Sequence, residues 1–301
     1  MKKAFYYLAV LAMAACTFTA CSDDDDENPG AGSTEMYVPA SIVDGTRVQN
    51  VGGLNATYNE DGSIAKLENG GITYNFEYTP EQRAAVSTGR QIKRIYVANG
   101  DGSWEATNLK FNADGFLTAL NMHSLYKDDY YSEETNLNYT LSYDGGGHLK
   151  SNKVSGFIKD TEDGETETDK INVTINYTWN GGNLTSANAA AYGTSVNIAF
   201  TYGDEDNTFN IFTPFMAAPV GLMDDPLLGA LAMIGFTGNS SAKLPTAMVN
   251  TVKDEDGTET ESAAFTYTFN SDHSIDVLNF ITKDSDGYNN SGSFKYYYFR
   301  K

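Results

Sequence analysis

The chain has 301 residues, of which 20 are Lys or Arg and 40 are Asp or Glu, so its formal net charge at pH 7 is −20. A surface this negative repels phosphate backbones and anionic headgroups, which argues against nucleic acid as a partner.

The first twenty residues have the organisation of a secretory signal peptide. Lys2 and Lys3 form a short positive region, and residues 4–15 form an apolar stretch that is too short to span a membrane comfortably. The segment Phe18-Thr19-Ala20-Cys21 that follows resembles a bacterial lipobox, in which the cysteine is lipidated and becomes the new N-terminus. Cys16 is a weaker second candidate, because no acidic tract follows it directly.

An acidic tract comes immediately after Cys21 and consists of Ser22, Asp23, Asp24, Asp25, Asp26 and Glu27. It resembles the export tag of Bacteroidetes surface lipoproteins, and the alternative is an ordinary solvated linker. We expect residues 21–35 to be a flexible tether, because like charges this dense do not fold. This predicts an exported protein of the outer membrane that faces the cell exterior and meets the membrane only through its lipid.

Residues 36–301 are predicted to form a single domain without disulfides. Both cysteines, Cys16 and Cys21, lie in the leader, so the domain depends on its hydrophobic core, which a chain of this length is able to supply. We expect a monomer, and no cofactor other than the covalent lipid on Cys21.

A hairpin motif recurs along the domain. Its successive positions are an aromatic residue, Asn or Asp, any residue, Asp or Gly, Gly or His, any residue, and finally Ile or Leu. The Asn or Asp starts a type I turn, and the fifth residue takes a positive φ that closes a β-bulge. Glycine occupies this fifth position in three copies and His273 in the fourth, His being one of the few other types tolerated there. The four copies are Tyr58–Ile64, Phe111–Leu117, Tyr143–Leu149 and Phe269–Ile275.

The segments between these turns alternate apolar and polar residues, as in Ile171-Asn-Val-Thr-Ile-Asn-Tyr-Thr-Trp179. This period of two predicts strands with one buried face. Acidic, glycine-ended loops lie between the hairpins, and they should all fall at the opposite end of an up-and-down meander. The sequence therefore predicts an all-β protein of roughly twelve to fifteen antiparallel strands, curled into a barrel or half-barrel.

One apolar segment, residues 212–236, lacks this alternation. Asp224, Asp225 and Pro226 form a helix start, and an apolar helix over about 226–235 should follow. A helix that is apolar on all sides is buried, so we interpret it as a plug or cap for the curled sheet.

The repeated hairpins, the Leu227-Leu228-Gly229 segment and the stretch Gly238-Asn-Ser-Ser-Ala-Lys-Leu-Pro245 resemble the domain-of-unknown-function 4595 family of Bacteroidetes surface lipoproteins. The resemblance implies a porin-like, barrel-shaped domain. It implies no activity and therefore no functional residues.

Enzymatic motifs are not found in the sequence, and we expect a protein without enzymatic activity. Its three histidines are scattered, and no GxSxG, HExxH or phosphate-binding loop occurs. Carboxylates are numerous enough for a glycoside hydrolase, which stays a minor alternative. Calcium is a candidate ligand for two acidic turns, through Asp254, Asp256, Asp284 and Asp286.

Exposed tyrosines are the candidates for stacking against a glycan, namely Tyr126, Tyr130, Tyr131 and Tyr297. The sequence thus favours a surface lipoprotein that binds or displays a ligand, with a carbohydrate or a surface protein as the partner. The alternatives are an integral outer-membrane barrel, whose apolar strand faces would meet lipid, and a carrier whose apolar faces would line a cavity for a hydrophobic ligand.

Overall fold

The computed structural model describes residues 46–59, 63–69, 71–79, 92–99, 102–221 and 226–300. The signal peptide, Cys21, the acidic tract and the tether lie outside this part of the chain. The described residues form seventeen β-strands, which are β1 (Thr46–Val51), β2 (Leu54–Tyr58), β3 (Ile64–Asn69), β4 (Ile72–Tyr78), β5 (Ile92–Asn99), β6 (Gly102–Phe111), β7 (Leu117–Lys127), β8 (Tyr131–Tyr143), β9 (Leu149–Glu162), β10 (Glu165–Asn180), β11 (Asn183–Ala191), β12 (Thr194–Asp206), β13 (Lys243–Lys253), β14 (Thr258–Phe269), β15 (Ile275–Lys283), β16 (Asn289–Lys295) and β17 (Tyr297–Arg300).

The strands form one antiparallel meander. Each strand from β1 to β15 pairs with the next in sequence. The last strand, β17, pairs with β1, so that Thr46 lies opposite Arg300 and the sheet returns on itself as a nearly closed barrel. The predicted all-β meander is confirmed. The structure has seventeen strands rather than the twelve to fifteen expected, because β1 to β4 are short and because the final strand is interrupted at Tyr296.

The alternation of the sequence separates an inner face from an outer face. In β10, Ile171, Val173, Ile175 and Tyr177 are buried inside the barrel, while the residues between them point outward. The outer face is polar along several strands, with exposed side chains at Thr140, Ser142, Lys153, Asn172, Asn176, Thr178, Asn197, Thr201, Thr266, Asn279 and Lys295.

The repeated turns have the predicted geometry. Gly115, Gly147 and His273 have φ values of 82°, 78° and 65°. In each case their N–H donates to the carbonyl three residues earlier, that of Asn112, Asp144 or Asn270, at 3.0–3.1 Å. The strand register shifts at the adjoining aromatic residue, as expected for a bulge. The corresponding Gly62 lies outside the described residues.

The two ends of the barrel differ, as predicted. The turns of the repeated motif follow β2, β6, β8 and β14 and share one end with Thr46, where the chain enters the barrel. We call this end the plug end. The connections after β7, β9, β13 and β15 lie at the opposite end and carry a high density of Asp and Glu. We call it the acidic end.

Residues 207–242 connect β12 to β13 and form the plug. It contains α1 (Pro214–Ala217), a 3-10 helix (Ala218–Val220) and α2 (Pro226–Met233). The predicted apolar helix is therefore confirmed as α2, which begins at a proline, whereas α1 and the 3-10 helix are additional. Residues 222–225, with the predicted Asp224 and Asp225 cap, lie outside the described part. No helix in the described ranges has the length and hydrophobicity that a membrane crossing requires.

The plug fills the barrel from the plug end. The ring of Phe215 lies 4.5 Å from that of Phe265 and 5.2 Å from that of Phe280, measured between centroids. The hydroxyl of Tyr177 on β10 donates to the carbonyl oxygen of Pro219 at 2.8 Å. Leu231 in α2 is only 1% exposed. The buried face of the sheet and the plug therefore form one continuous core.

Candidate binding surface at the acidic end

Two tyrosines, one at the end of β7 and one in the connection to β8, are exposed to solvent. The Oδ1 atom of Asp128 accepts hydrogen bonds from the backbone N–H groups of Tyr130 and Tyr131, at 2.8 and 2.7 Å. These bonds lower the pKa of the Asp128 carboxyl, since they favour its charged form. Tyr130 is 78% exposed and Tyr126 is 47% exposed. Asp128 therefore fixes the backbone at Tyr130 and Tyr131, and its Oδ2 atom accepts a hydrogen bond from the Tyr126 hydroxyl at 3.3 Å.

A third tyrosine joins this group to two carboxylates. The ring centroid of Tyr131 lies 6.2 Å from that of Tyr126. Its hydroxyl lies 2.7 Å from Oδ1 of Asp160 and 2.9 Å from Oε2 of Glu133. Burial and the bonds to these two carboxyl groups raise the pKa of the Tyr131 phenol, so it keeps its proton at neutral pH. A phenol has one proton for two acceptors, which leaves carboxylate lone pairs free for other donors.

Strand register explains why these side chains meet. Tyr126 on β7 lies opposite Glu133 on β8, and Glu133 lies opposite Asp160 on β9. The three occupy one row on the inner face, close to the acidic end. We call Tyr126, Tyr130, Tyr131, Glu133 and Asp160 the tyrosine surface.

The chemistry of the tyrosine surface suits a polyhydroxylated ligand. An exposed aromatic face offers a flat apolar platform, and tyrosine adds a polar edge. Carboxylate oxygens accept hydrogen bonds from hydroxyl groups, and such charge-assisted bonds are stronger than neutral ones. The combination is one that a sugar ring, with its apolar face and its rim of hydroxyl groups, is able to satisfy.

The structure brings together three of the four tyrosines singled out in the sequence. Tyr297 lies apart from them on β17, where its ring is 5.6 Å from Nζ of Lys295. Glu133 and Asp160 are not singled out by any sequence motif. A signal was present for Glu133, because the period of two places it in phase with the buried Leu137 and Tyr139.

The four candidate metal ligands lie in two separate turns of the acidic end. Asp254 Oδ1 accepts the backbone N–H groups of Asp256 and Gly257, at 2.9 and 3.1 Å. Asp284 Oδ1 accepts the N–H of Tyr288 at 2.8 Å. These carboxylates stabilise their own turns, and within the described ranges no three His, Cys, Asp or Glu side chains are grouped so as to hold a metal ion. Calcium binding by Asp254, Asp256, Asp284 and Asp286 stays a prediction.

The fold is similar to that of porin-like proteins from Bacteroides. A porin-like protein from Bacteroides vulgatus superposes with a TM-score of 0.53 at 12% identity, over 84% of this chain and 98% of that chain. One from Bacteroides uniformis gives a TM-score of 0.49 at 14% identity, over 81% and 89% of the two chains. The match with a TM-score of 0.53, at 12% identity, shows a shared fold alone. No protein-family model matches the chain, so membership of the domain-of-unknown-function 4595 family stays a prediction. No curated protein matches it either.

Proposed function

We propose that the chain is a lipid-anchored surface protein whose barrel binds a glycan at the tyrosine surface and catalyses no reaction. The observation that carries the proposal is the position of two exposed tyrosine rings beside a pair of carboxylates, on a backbone that Asp128 holds in place. Exposed aromatic rings in a cluster are uncommon without a partner, and this cluster combines both kinds of group that a sugar needs.

The proposed anchor would present this surface away from the membrane. The chain enters the barrel at Thr46, opposite Arg300 and at the plug end. A lipid on Cys21 would therefore tether the plug end, with the acidic end and its tyrosine surface directed outward. This orientation is the one that a receptor for an external ligand requires.

The polar outer face supports an anchored domain over an integral outer-membrane barrel. Outward-facing Asn176 and Asn279 and the outward lysines Lys153 and Lys295 are exposed, whereas the lipid-facing band of an outer-membrane barrel is apolar. The plug likewise supports binding at the end of the barrel over carriage of a hydrophobic ligand inside it, because the buried side chains of the plug occupy the interior.

Binding is tested on a glycan array with the full-length protein in detergent, followed by titration of the glycans that are retained. Tyr130→Ala should weaken binding by about tenfold, since the loss of one stacked ring costs on the order of 1 kcal/mol or slightly more. Tyr288→Ala is the matched control, because Tyr288 is 75% exposed at the same end but outside the tyrosine surface. Equal losses in the two variants, or no retained glycan, would reject the proposal, and release of reducing sugar would identify a hydrolase instead.

Anchoring is tested by fractionating cells that express Cys21→Ala or the control Cys16→Ala. We expect the Cys21 variant to leave the membrane fraction and the Cys16 variant to stay.

Replacing Asp23 to Asp26 with alanine tests the export tag. It should preserve lipidation and abolish access by external protease. Cleavage of the tether near Gly30-Ala31-Gly32 should release a soluble domain, and a domain that still needs detergent would support the integral barrel.

A further inference from the structure

Tyr192 lies in the tight turn between β11 and β12, at the acidic end, in a backbone conformation that is unusual for its residue type. Ala191 pairs with Thr194, so the loop consists of Tyr192 and Gly193, with φ values of 51° and 90°. Two positive φ values are typical of a type I′ turn, for which Asn-Gly is the favoured sequence. A bulky side chain is strained in this conformation. The turn therefore keeps a tyrosine where asparagine would fold more easily.

The hydroxyl of Tyr192 is held by the neighbouring strand. Ile175 on β10 lies opposite Ala189 on β11, and β10 continues toward the acidic end past the last residue of β11. Along this extension the Tyr192 hydroxyl donates to the carbonyl oxygen of Lys170 and accepts the backbone N–H of Asn172 at 3.1 Å. It thereby satisfies two backbone groups that β11 does not reach.

Tyr192 remains 47% exposed although its hydroxyl is bonded to β10. The two hydrogen bonds restrict the orientation of the ring, so little conformational entropy would be lost if a ligand stacked on it. Backbone strain is retained most often at sites that bind ligands or catalyse reactions. Capping of a strand edge accounts for the hydroxyl, but it does not account for an exposed tyrosine in a strained turn.

A row of carboxylates leads from the tyrosine surface toward Tyr192. On the inner face Glu133 lies opposite Asp160, and Asp160 lies opposite Glu167, which belongs to the part of β10 that extends past β11. A strand spacing of about 4.8 Å and a rise of about 3.3 Å per residue put Tyr192 roughly 15–25 Å from the tyrosine surface. A single sugar ring is too small to contact both places, whereas a chain of several linked sugars is able to.

We propose that Tyr192 is a second stacking position for the same ligand, so that the glycan bound at the tyrosine surface is a chain of several sugars. One part of the chain stacks on Tyr126 and Tyr130, and a later sugar stacks on Tyr192. Hydroxyl groups of the sugars between them donate to the row of carboxylates. This inference rests on the proposed glycan binding, because it concerns the same ligand.

Calorimetric titration of the full-length protein in detergent tests the inference through chain length. The probes are the hexasaccharides isomaltohexaose, mannohexaose and xylohexaose, and the matching disaccharides isomaltose, mannobiose and xylobiose. We expect one hexasaccharide to bind about tenfold more tightly than its own disaccharide, since only the longer chain reaches the ring of Tyr192. This comparison is made on the wild type and does not depend on any variant.

Two substitutions separate the ring of Tyr192 from its hydroxyl. Tyr192→Asn removes the ring and supplies the residue that a type I′ turn favours, so the variant should fold. It should bind the hexasaccharide only as tightly as the disaccharide, with unchanged affinity for the disaccharide. Tyr192→Phe keeps the ring and should retain most of the preference for the longer chain. Tyr288→Ala is the matched control, because it removes another exposed tyrosine of the acidic end, and it should leave both affinities unchanged.

Melting temperatures establish that the three variants are folded. Equal binding of each hexasaccharide and its disaccharide, or binding of none of the six sugars, would overturn the inference. A preference for the longer chain that survives in Tyr192→Asn would also overturn it, and would show that Tyr192 only caps the edge of β10. Failure of glycan binding itself would be seen separately, as an array that retains no glycan.

Discussion

The backbone N–H of Asn239 donates to the carbonyl oxygen of Gly147 at 2.9 Å, which ties the plug to the turn between β8 and β9. The side-chain amide of Asn239 adds a bond to the carbonyl of Gly146 at 2.8 Å. At the turn between β6 and β7, the backbone N–H of Leu117 donates to the carbonyl oxygen of Phe236 in the plug, with 2.8 Å between nitrogen and oxygen. The repeated turns therefore serve as attachment points for the segment that closes the barrel.

Gly238→Ala should loosen this attachment. Gly238 has a φ of 102°, and an added Cβ would lie 2.6 Å from the carbonyl oxygen of Gly147. We expect a loss of about 2–4 kcal/mol in the free energy of unfolding, from strained φ together with overpacking. Gly193→Ala is the control, because Gly193 has a φ of 90° but open space around it, and it should cost only about 1 kcal/mol. Urea denaturation measures both, and equal losses would show that the contact with Gly147 is unimportant.

His273→Gly should stabilise the barrel by up to about 1 kcal/mol, because a left-handed conformation costs a non-glycine residue roughly 1–2 kcal/mol and the extra freedom of glycine in the unfolded chain offsets part of the gain. Gly115→Val, at the equivalent position of another turn, should destabilise by about 1–3 kcal/mol. The denaturant midpoints of the two variants show whether each is stabilised or destabilised. A neutral Gly115→Val would contradict the shared turn geometry.

The turns and the plug helix could be predicted from sequence because their causes are local. A positive φ selects Gly or His at one position of each turn, and Pro226 with the apolar residues after it defines a short buried helix. The interruption of the last strand at Tyr296 has a non-local cause. The N–H of Tyr296 still bonds to Asp276 on β15, while β17 leaves β15 and pairs with β1 to close the barrel. Nothing in three consecutive tyrosines indicates this exchange of partners.

The candidate site shows the same division between features with local causes and features with non-local causes. Tyr126, Tyr130 and Tyr131 lie in or directly beside the connection between β7 and β8, so their proximity could be predicted from the sequence. Glu133 and Asp160 join them only through the register of β7, β8 and β9. A polar residue in phase with an apolar face was the available signal for these side chains, but strand register cannot be derived from a single sequence.

Leu231→Ala should cost about 2–5 kcal/mol if the plug is part of the core, since Leu231 is almost fully buried. Leu231→Asp should unfold the barrel or expel the plug, because its charge would lack a partner. Ile281→Asp is the control on the outer face of β15, where Ile281 is 57% exposed, and it should leave the melting temperature nearly unchanged. If the plug were a movable lid, Leu231→Asp would melt like the wild type and admit an apolar dye faster.

The pH dependence of stability should reveal the raised pKa of Glu261 on β14 directly. Burial, with the charges of Asp284 and Glu259, raises its pKa in the folded state above the ordinary value of 4.5, so the folded protein binds this proton more tightly than the unfolded chain does. Its contribution to stability is therefore full below pH 4.5 and is lost as the pH rises through the raised pKa. Glu261→Gln should melt higher than the wild type at neutral pH, and the difference should shrink toward pH 4.

Glu77→Gln should show the opposite pH dependence, because hydrogen bonds from Lys93 and Arg94 lower the pKa of Glu77. This variant should lose stability at neutral pH and recover relative to the wild type in acid. Melting curves from pH 4 to pH 8 compare the three proteins, and a Glu261→Gln curve parallel to that of the wild type would show that Glu261 has an ordinary pKa.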